Sequence, residues 1–285
     1  MDEWGELLAG KYDVEKKWLA RTPGLERAVV RGVPAEIRGR VWMRLLPTAW
    51  LQERYGRYGR EMWEAVDADS KECIEKDVPR TFPELPGFGL TNAPALRRIL
   101  SALAALYPEV GYRSGRNFVV GTILRAIEEE EDAFWISLAV FSPDLPGWES
   151  LSTFGTHEGM VRAYRQFADQ LKALHPALSD HLCLLGFQPE LHCATGTVTL
   201  LTHTLPPTET VLRYMDLFVY FGLPMVVRLQ IAALALDESR FLACQNFEDA
   251  LDVFGEHRQL NSNSDAVIHL ALSQPRSLAP RCAIL

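Results

Sequence analysis

"VRAYRQFADQLKALHPALSDHLCLLG", Val161 to Gly186, decides the fold class. Phe167, Leu171, Leu174, Leu178, Leu182 and Leu185 recur at spacings of three and four, the period that lines apolar side chains along one helix face. Gly186 offers a stop, because glycine takes the left-handed cap conformation at no steric cost. "LRRILSALAALYP" repeats the pattern with Leu96, Ile99, Leu100, Leu103 and Leu106, and Pro108 ends it. Alternating runs are scarce, and no Asn-Gly or Asp-Gly hairpin turn occurs. The chain therefore reads as all-α, with a dozen or more helices, no sustained heptads and no fixed repeat.

At 285 residues, length suggests one large domain or two smaller ones. A content of 48% hydrophobic and 23% charged residues suffices to bury a core and argues against disorder. The net charge of -8 argues against nucleic acid as a partner. Arg97, Arg98, Arg113, Arg116 and Arg125 still make one arginine-rich neighbourhood, read first as a solvated helix face. The opening "MDEWGELLAG" has neither a basic n-region nor a long apolar h-region. Arg228 interrupts the best membrane candidate, "MVVRLQIAALAL". Five cysteines without C-x-x-C spacing suit reduced thiols, so a cytoplasmic location is expected.

Two breaker-rich stretches, 76–94 and 142–156, punctuate the helices. They suggest a helical lead-in over 1–24, a first helical unit over 25–155, a second over 156–272 and a loosely attached tail over 273–285. The first stretch, "KDVPRTFPELPGFGLTNAP", is too long for an idle connection. Within it, Pro79 and Pro83 should keep "DVPRTFP" extended and turn-like, holding Arg80 out from the body.

Self-contained chemistry is not evident. The chain has no G-x-x-x-x-G-K-[ST], no G-x-G-x-x-G after a strand, no H-E-x-x-H and no G-x-S-x-G. His181, Cys183, His192 and Cys193 match no usual zinc spacing, so no metal is assigned. The acidic run Glu128–Asp132 reads as a solvated helix face, favoured by the helix dipole if it opens a helix.

The remaining landmarks form an ordered set: "RGVPAEIRGRVW" (Arg31–Trp42), "IEKDVPRTFP" (Ile74–Pro83), "PEVGYRSGRNF" (Pro108–Phe118), "EEEDAFW" (Glu129–Trp135) and "LPPTETVLRYMDLF" (Leu205–Phe218). In that order they resemble the TBC domain of Rab GTPase-activating proteins, over roughly residues 25 to 240. The resemblance implies an all-α, V-shaped domain of two helical subdomains. It also implies a partner, a Rab-type GTPase in its GTP form. GTP and Mg belong to that partner, so no cofactor of the chain's own is expected. Contact with a membrane would then be indirect, through the Rab.

Such domains supply two side chains in trans. The I-x-x-D-x-x-R motif is matched by Ile74, Asp77 and Arg80, which makes Arg80 the arginine finger. A planar guanidinium can stabilise charge developing on the phosphoryl oxygens with paired hydrogen bonds. Asp77 and the Thr81 hydroxyl are placed to brace it. The second motif, Y-x-Q, reads Tyr112, Arg113, Ser114 here. Serine has one short hydroxyl and does not reach as a carboxamide does, so Ser114 is not expected to position water. Thr195 and Gly196 also replace a Gln-Trp pair, and Met215 replaces a tryptophan beside the retained Asp216.

Three consequences stand open. Arg80 alone stimulates hydrolysis, weakly or selectively; or Arg113 or Arg116 compensates for the missing glutamine; or the domain is a non-catalytic Rab-binding scaffold. Trp42 reads as a core anchor with its N–H satisfied. Arg38 and Asp77 are either a buried pair holding the finger loop or plain surface charges. Asn117 and Tyr112 shape the groove, although Tyr112 fits packing equally well. Finally, "CAIL" satisfies C-a-a-X at Cys282, a prenylation signal supported only by Arg276 and Arg281.

Overall fold

The computed structural model describes residues 2–9, 12–13, 18–143, 145, 157–255 and 257–275. Most of the 142–156 stretch, the tail beyond 275 and Cys282 lie outside the described residues. The described chain is helical throughout, apart from a two-residue antiparallel pairing of Tyr12–Asp13 with Trp18–Leu19. Strands of two residues are too short to carry an alternation signal, which is why the sequence does not announce them. No helix among the described residues is long and apolar enough to cross a membrane.

The described residues divide into two compact units. The first takes those of Met1–Pro146 together with Met215–Tyr220, and the second those of Thr153–Tyr214 and Phe221–Leu285. In the first unit the helix Glu130–Phe141 is the central element. Every side chain from Ala133 to Phe141 is buried, so this helix is apolar all round rather than amphipathic. Its start carries the acidic run: Glu130, Glu131 and Asp132 fill the first turn, where carboxylates oppose the positive end of the dipole. Glu130 is more than a solvated charge, since it binds Arg98 through two hydrogen bonds and accepts from the Tyr58 hydroxyl at 2.7 Å. Against this helix pack Ala93–Leu106, with Leu96, Ile99, Leu100 and Leu103 buried as the spacing predicts, and Arg116–Ala126.

In the second unit the stretch Val161–Gly186 forms two helices, not one. His157–Leu174 ends before Pro176, which opens the helix Pro176–Leu184. Proline lacks the donor that an internal turn requires but fits a first turn. The apolar spacing survives the break: Phe167, Leu171, Leu178 and Leu182 enter one core with Phe187, Ile231 and Phe241. Gly186 ends this region at φ +74°. Arg228 is buried on the helix Leu223–Leu236, where its guanidinium donates to the Gln274 carbonyl. The carbonyl it meets lies just past the helix Ser264–Ser273 and satisfies part of the buried charge's hydrogen-bonding need.

Candidate functional site

The loop that carries Arg80 departs from the extended form expected of it. The helix Ala68–Asp77 is started by the Asp67 carboxylate, which accepts from the Ser70 amide at 2.7 Å. It runs on into a 3-10 turn, Val78–Arg80, closed by the Thr81 amide on the Val78 carbonyl. Pro79 sits at the start of that turn, where no N–H is missed and its fixed φ suits the turn. Burial of Val78 and Thr81, each 3% exposed, outweighs the preference of the residue before proline for extended backbone.

Around Arg80 the chain alternates between anchored and free. Phe82 is buried with a positive φ of 49°, a conformation that costs a bulky residue roughly 1–3 kcal/mol. Its ring offsets that cost by filling an aromatic nest. Phe88 and Phe118 lie 5.5 and 5.6 Å away, edge-on, and the Arg125 guanidinium lies 5.8 Å from its centroid. Arg80 points outward and is exposed. No hydrogen bond or ion pair engages its guanidinium among the described residues.

A second loop, Tyr112–Gly115, is stitched to the first through Asp77. The Asp77 Oδ2 atom accepts from the Ser114 hydroxyl at 2.7 Å and from the Tyr112 hydroxyl at 2.9 Å. Tyr112 has one phenolic proton, and Asp77 takes it in preference to Asn117 Oδ1 at 3.3 Å. Burial first, and the Asp77 hydrogen bond second, push the Tyr112 phenol far above its ordinary value, so it stays a donor at any working pH. Asn117 ties the other side, donating to the Thr81 hydroxyl at 2.9 Å and accepting from the Gly115 amide at 3.0 Å. Thr81 in turn donates to the Asp77 carbonyl at 3.0 Å. Asp77, Thr81, Tyr112 and Asn117 thus hold the two loops in one register, with the Ser114 hydroxyl already committed to Asp77.

Arg38 is not the partner of Asp77. It belongs to a separate buried network within the first unit, built on Asp216. Arg38 Nε lies 3.2 Å from the Asp216 carboxylate, the Trp42 indole N–H donates to it at 2.8 Å and the Val33 amide at 3.3 Å. Arg38 also donates to the Val33 carbonyl at 2.8 Å. Burial pushes the Asp216 carboxyl up to about 6, against the pull of Arg38 and the hydrogen bonds, so it is an anion at neutral pH. Asp216 lies 178 positions along the chain from Arg38. Of the two readings of Arg38 and Asp77, neither therefore holds for Arg38: it is buried, but its partner is Asp216. Trp42 is fully buried with its N–H satisfied.

The arginine-rich neighbourhood is no single patch. Arg97 meets Glu75, Arg98 meets Glu130, and Arg125 lies against Phe82. Arg116 turns inward, 8% exposed, donating to the Gly111 carbonyl at 2.8 Å with its guanidinium 5.1 Å from the Phe141 ring centroid. Burial, then the nearby Arg113 charge, pull it down to about 10. Arg116 is therefore a strut of the loop and does not flank the gap left by glutamine. Arg113 is exposed beside Ser114. Arg80 on the first loop is exposed too, whereas Lys76, in the helix before it, is paired with Glu72 at 2.5 Å. Of the four metal candidates, His181 meets the Cys244 carbonyl at 3.1 Å, His192 stacks on Phe187 at 4.3 Å, and Cys193 is buried. Among the described residues no group of histidine, cysteine and carboxylate side chains could hold a metal ion.

One residue with no chemistry of its own positions the loop. A Cβ added at Gly121, on the helix Arg116–Ala126, would lie 2.9 Å from Thr81 Cγ2 and 3.1 Å from Phe82 Cε2. Alanine gains about 1 kcal/mol of helix propensity there, but the atoms it meets are buried and packed, so overpacking wins. Gly121→Ala is expected to lower stability by up to about 2 kcal/mol net in a denaturant melt and to displace the loop of Arg80. Only its glycine identity inside an apolar helix pattern could have flagged it.

Fold and site define an all-α protein in which two loops, stitched through Asp77, leave Arg80 exposed. A family model for the Rab-GTPase-TBC domain matches residues 35–242, and the chain belongs to that family. It is 28% identical over 284 residues to small G protein signaling modulator 3 of Homo sapiens, covering 96% of this chain and 36% of that protein. It is 27% identical over 260 residues to growth hormone-regulated TBC protein 1 of Xenopus laevis, covering 89% and 73%. The chain thus spans about a third of the human relative's length. In structure it resembles the Chlamydomonas flagellar RabGAP TBC domain, with a TM-score of 0.77 at 24% identity over 94% of this chain and 88% of that one. It also resembles the Ypt/Rab-GAP domain of Gyp1p, with a TM-score of 0.73 at 18% identity over 95% and 96%. These two likenesses speak for the all-α fold.

Proposed function

We propose that this protein is a GTPase activator for a Rab-type small GTPase, inserting Arg80 in trans into the partner's GTP site during vesicle trafficking. The observation that carries the reading is Arg80 itself: exposed and unengaged, on a turn whose neighbours Val78, Thr81 and Phe82 are all buried. A loop already fixed loses little entropy on docking, so the guanidinium arrives in place. An arginine finger contributes roughly 10³ to 10⁵ in rate. The nucleotide and its Mg are the partner's, and the protein works from the cytoplasm, reaching membranes through its partner.

Ser114 limits this activity. Its short hydroxyl donates to Asp77 at 2.7 Å and lacks a carboxamide's reach and paired donor and acceptor. Water must then be oriented by the GTPase's own residues, which makes stimulation weak or selective. A second reading, a Rab-binding scaffold without turnover, is favoured by that same hydrogen bond. Ser114→Gln tests the placement of residue 114. In single-turnover GTP hydrolysis with an accepting Rab, the added carboxamide is expected to raise the rate at least about tenfold, worth about 1.4 kcal/mol of barrier. No gain with any Rab that the protein binds counts against the placement of residue 114 at the reacting water.

A further inference from the structure

The large apolar side chains left exposed among the described residues are Leu90, Leu184, Leu191, Leu242, Phe247 and Leu251. All but Leu90 belong to the second unit, on elements that enclose one core. Scattered single leucines on a surface need no explanation, but a grouped set does. Phe247 and Leu251 stand four apart on the helix Phe247–Gly255, and so share a face. The Phe247 ring centroid lies 6.2 Å from His192 and 5.9 Å from Phe187. Phe254 closes the floor beneath, 5.7 Å from Phe187 and 5.5 Å from His192. The apolar ridge therefore rests on a packed aromatic base and is not a frayed edge.

Charge identifies what fits on it. Glu248 and Asp252, each one residue on from the apolar pair, are exposed. Neither makes a salt bridge among the described residues. They also stand four apart, where like charges repel along a helix. A cation lying between them relieves that repulsion while its apolar neighbours cover Phe247 and Leu251. Asp249 is used differently, accepting from the Gln245 amide at 3.0 Å to start the helix, and so is left out of the ridge.

We propose that the face formed by Phe247 and Leu251, edged by Glu248 and Asp252, docks a basic amphipathic helix of a partner protein, with leucine-type side chains beside Lys or Arg. Carboxylates beside exposed apolar side chains would repel an anionic lipid surface, and they disfavour a second copy that brings the same charges. This docking lies on a different unit from Arg80 and does not depend on the GTPase reading.

The test uses the full chain and two labelled eighteen-residue helical peptides of leucine with lysine or leucine with glutamate, followed by fluorescence anisotropy. Saturable binding of the lysine peptide alone is expected. The double variant Glu248→Gln/Asp252→Asn, whose substituted groups are solvent-facing, is expected to weaken it at least tenfold at low salt and to remove most of its salt dependence. Leu251→Ser is expected to weaken it also, with an unchanged melt confirming the fold, whereas Arg80→Ala should leave it intact. Absence of saturable binding, equal binding of both peptides, or indifference to the charge variant overturns the proposal. So does a dimer in sedimentation that Leu251→Ser dissolves, since the occupant would then be a second copy.

Discussion

Asp216→Ala is expected to destabilise the first unit by about 3–5 kcal/mol, the cost of breaking a buried ion pair from one side. The Arg38 guanidinium would remain in a site where it is 2% exposed, and the Trp42 and Val33 N–H groups would each lose an acceptor. Out of a typical total of about 5–15 kcal/mol, a loss of that size shows as a large fall in the midpoint of a urea melt. Asp216→Asn keeps the shape and one acceptor oxygen, so it should cost distinctly less. Equal losses for the two variants would mean that the carboxylate charge, which both lack, carries the stabilisation, whereas a near-silent Asn variant would mean that shape and the remaining acceptor hold the network. Because Arg38 binds Asp216 and not the finger loop, Asp216→Asn should leave Arg80-dependent hydrolysis nearly intact in whatever fraction remains folded.

Arg80→Lys carries the largest effect on activity. Lysine keeps the positive charge but presents a flexible point cation in place of a planar fork. A transition state that spreads charge over several oxygens rewards the fork. The substitution is expected to lower stimulated hydrolysis about a hundredfold or more, close to the effect of alanine, since paired hydrogen bonds and not net charge carry the stabilisation. Arg80 touches nothing among the described residues that the fold relies on, so the melting curve should not move. Affinity for the GTP-bound partner should change little as well. A variant that lost binding and catalysis together would recast Arg80 as a docking residue.

The helical fold was legible because the apolar spacing in this chain is dense and regular. The set Leu96, Ile99, Leu100 and Leu103 emerged buried as read. What spacing alone did not show was the interruption at Pro176, where the apolar pattern continues across a break in the backbone. The exposure of Arg80 was legible, but not the conformation of its loop. Proline preferences act locally, while Val78, Thr81 and Phe82 answer to a core assembled from distant helices. The same limit explains Arg38. Its charge partner lies 178 positions away, and a single sequence holds no signal that selects Asp216 over the nearer Asp77. Arg116 looked like a surface cation because its burial depends on the Gly111 carbonyl and the Phe141 ring, both visible only in three dimensions.

Ser114 joins the two kinds of knowledge. The motif position was readable in the sequence, and its departure from glutamine raised the question of activity. The structure adds that the Ser114 hydroxyl donates to Asp77 and helps tie two loops together. Arg113, exposed next to it, adds positive potential without replacing a carboxamide's paired donor and acceptor.

The most direct test is single-turnover GTP hydrolysis across a panel of purified Rab proteins, comparing the wild-type chain with Arg80→Ala. The expected result is stimulation of at least one Rab by the wild type, on the order of 10²-fold or more given the missing glutamine, and its loss in the variant with binding retained. Binding without stimulation of any Rab, or stimulation that Arg80→Ala leaves unchanged, would contradict an arginine-finger activator.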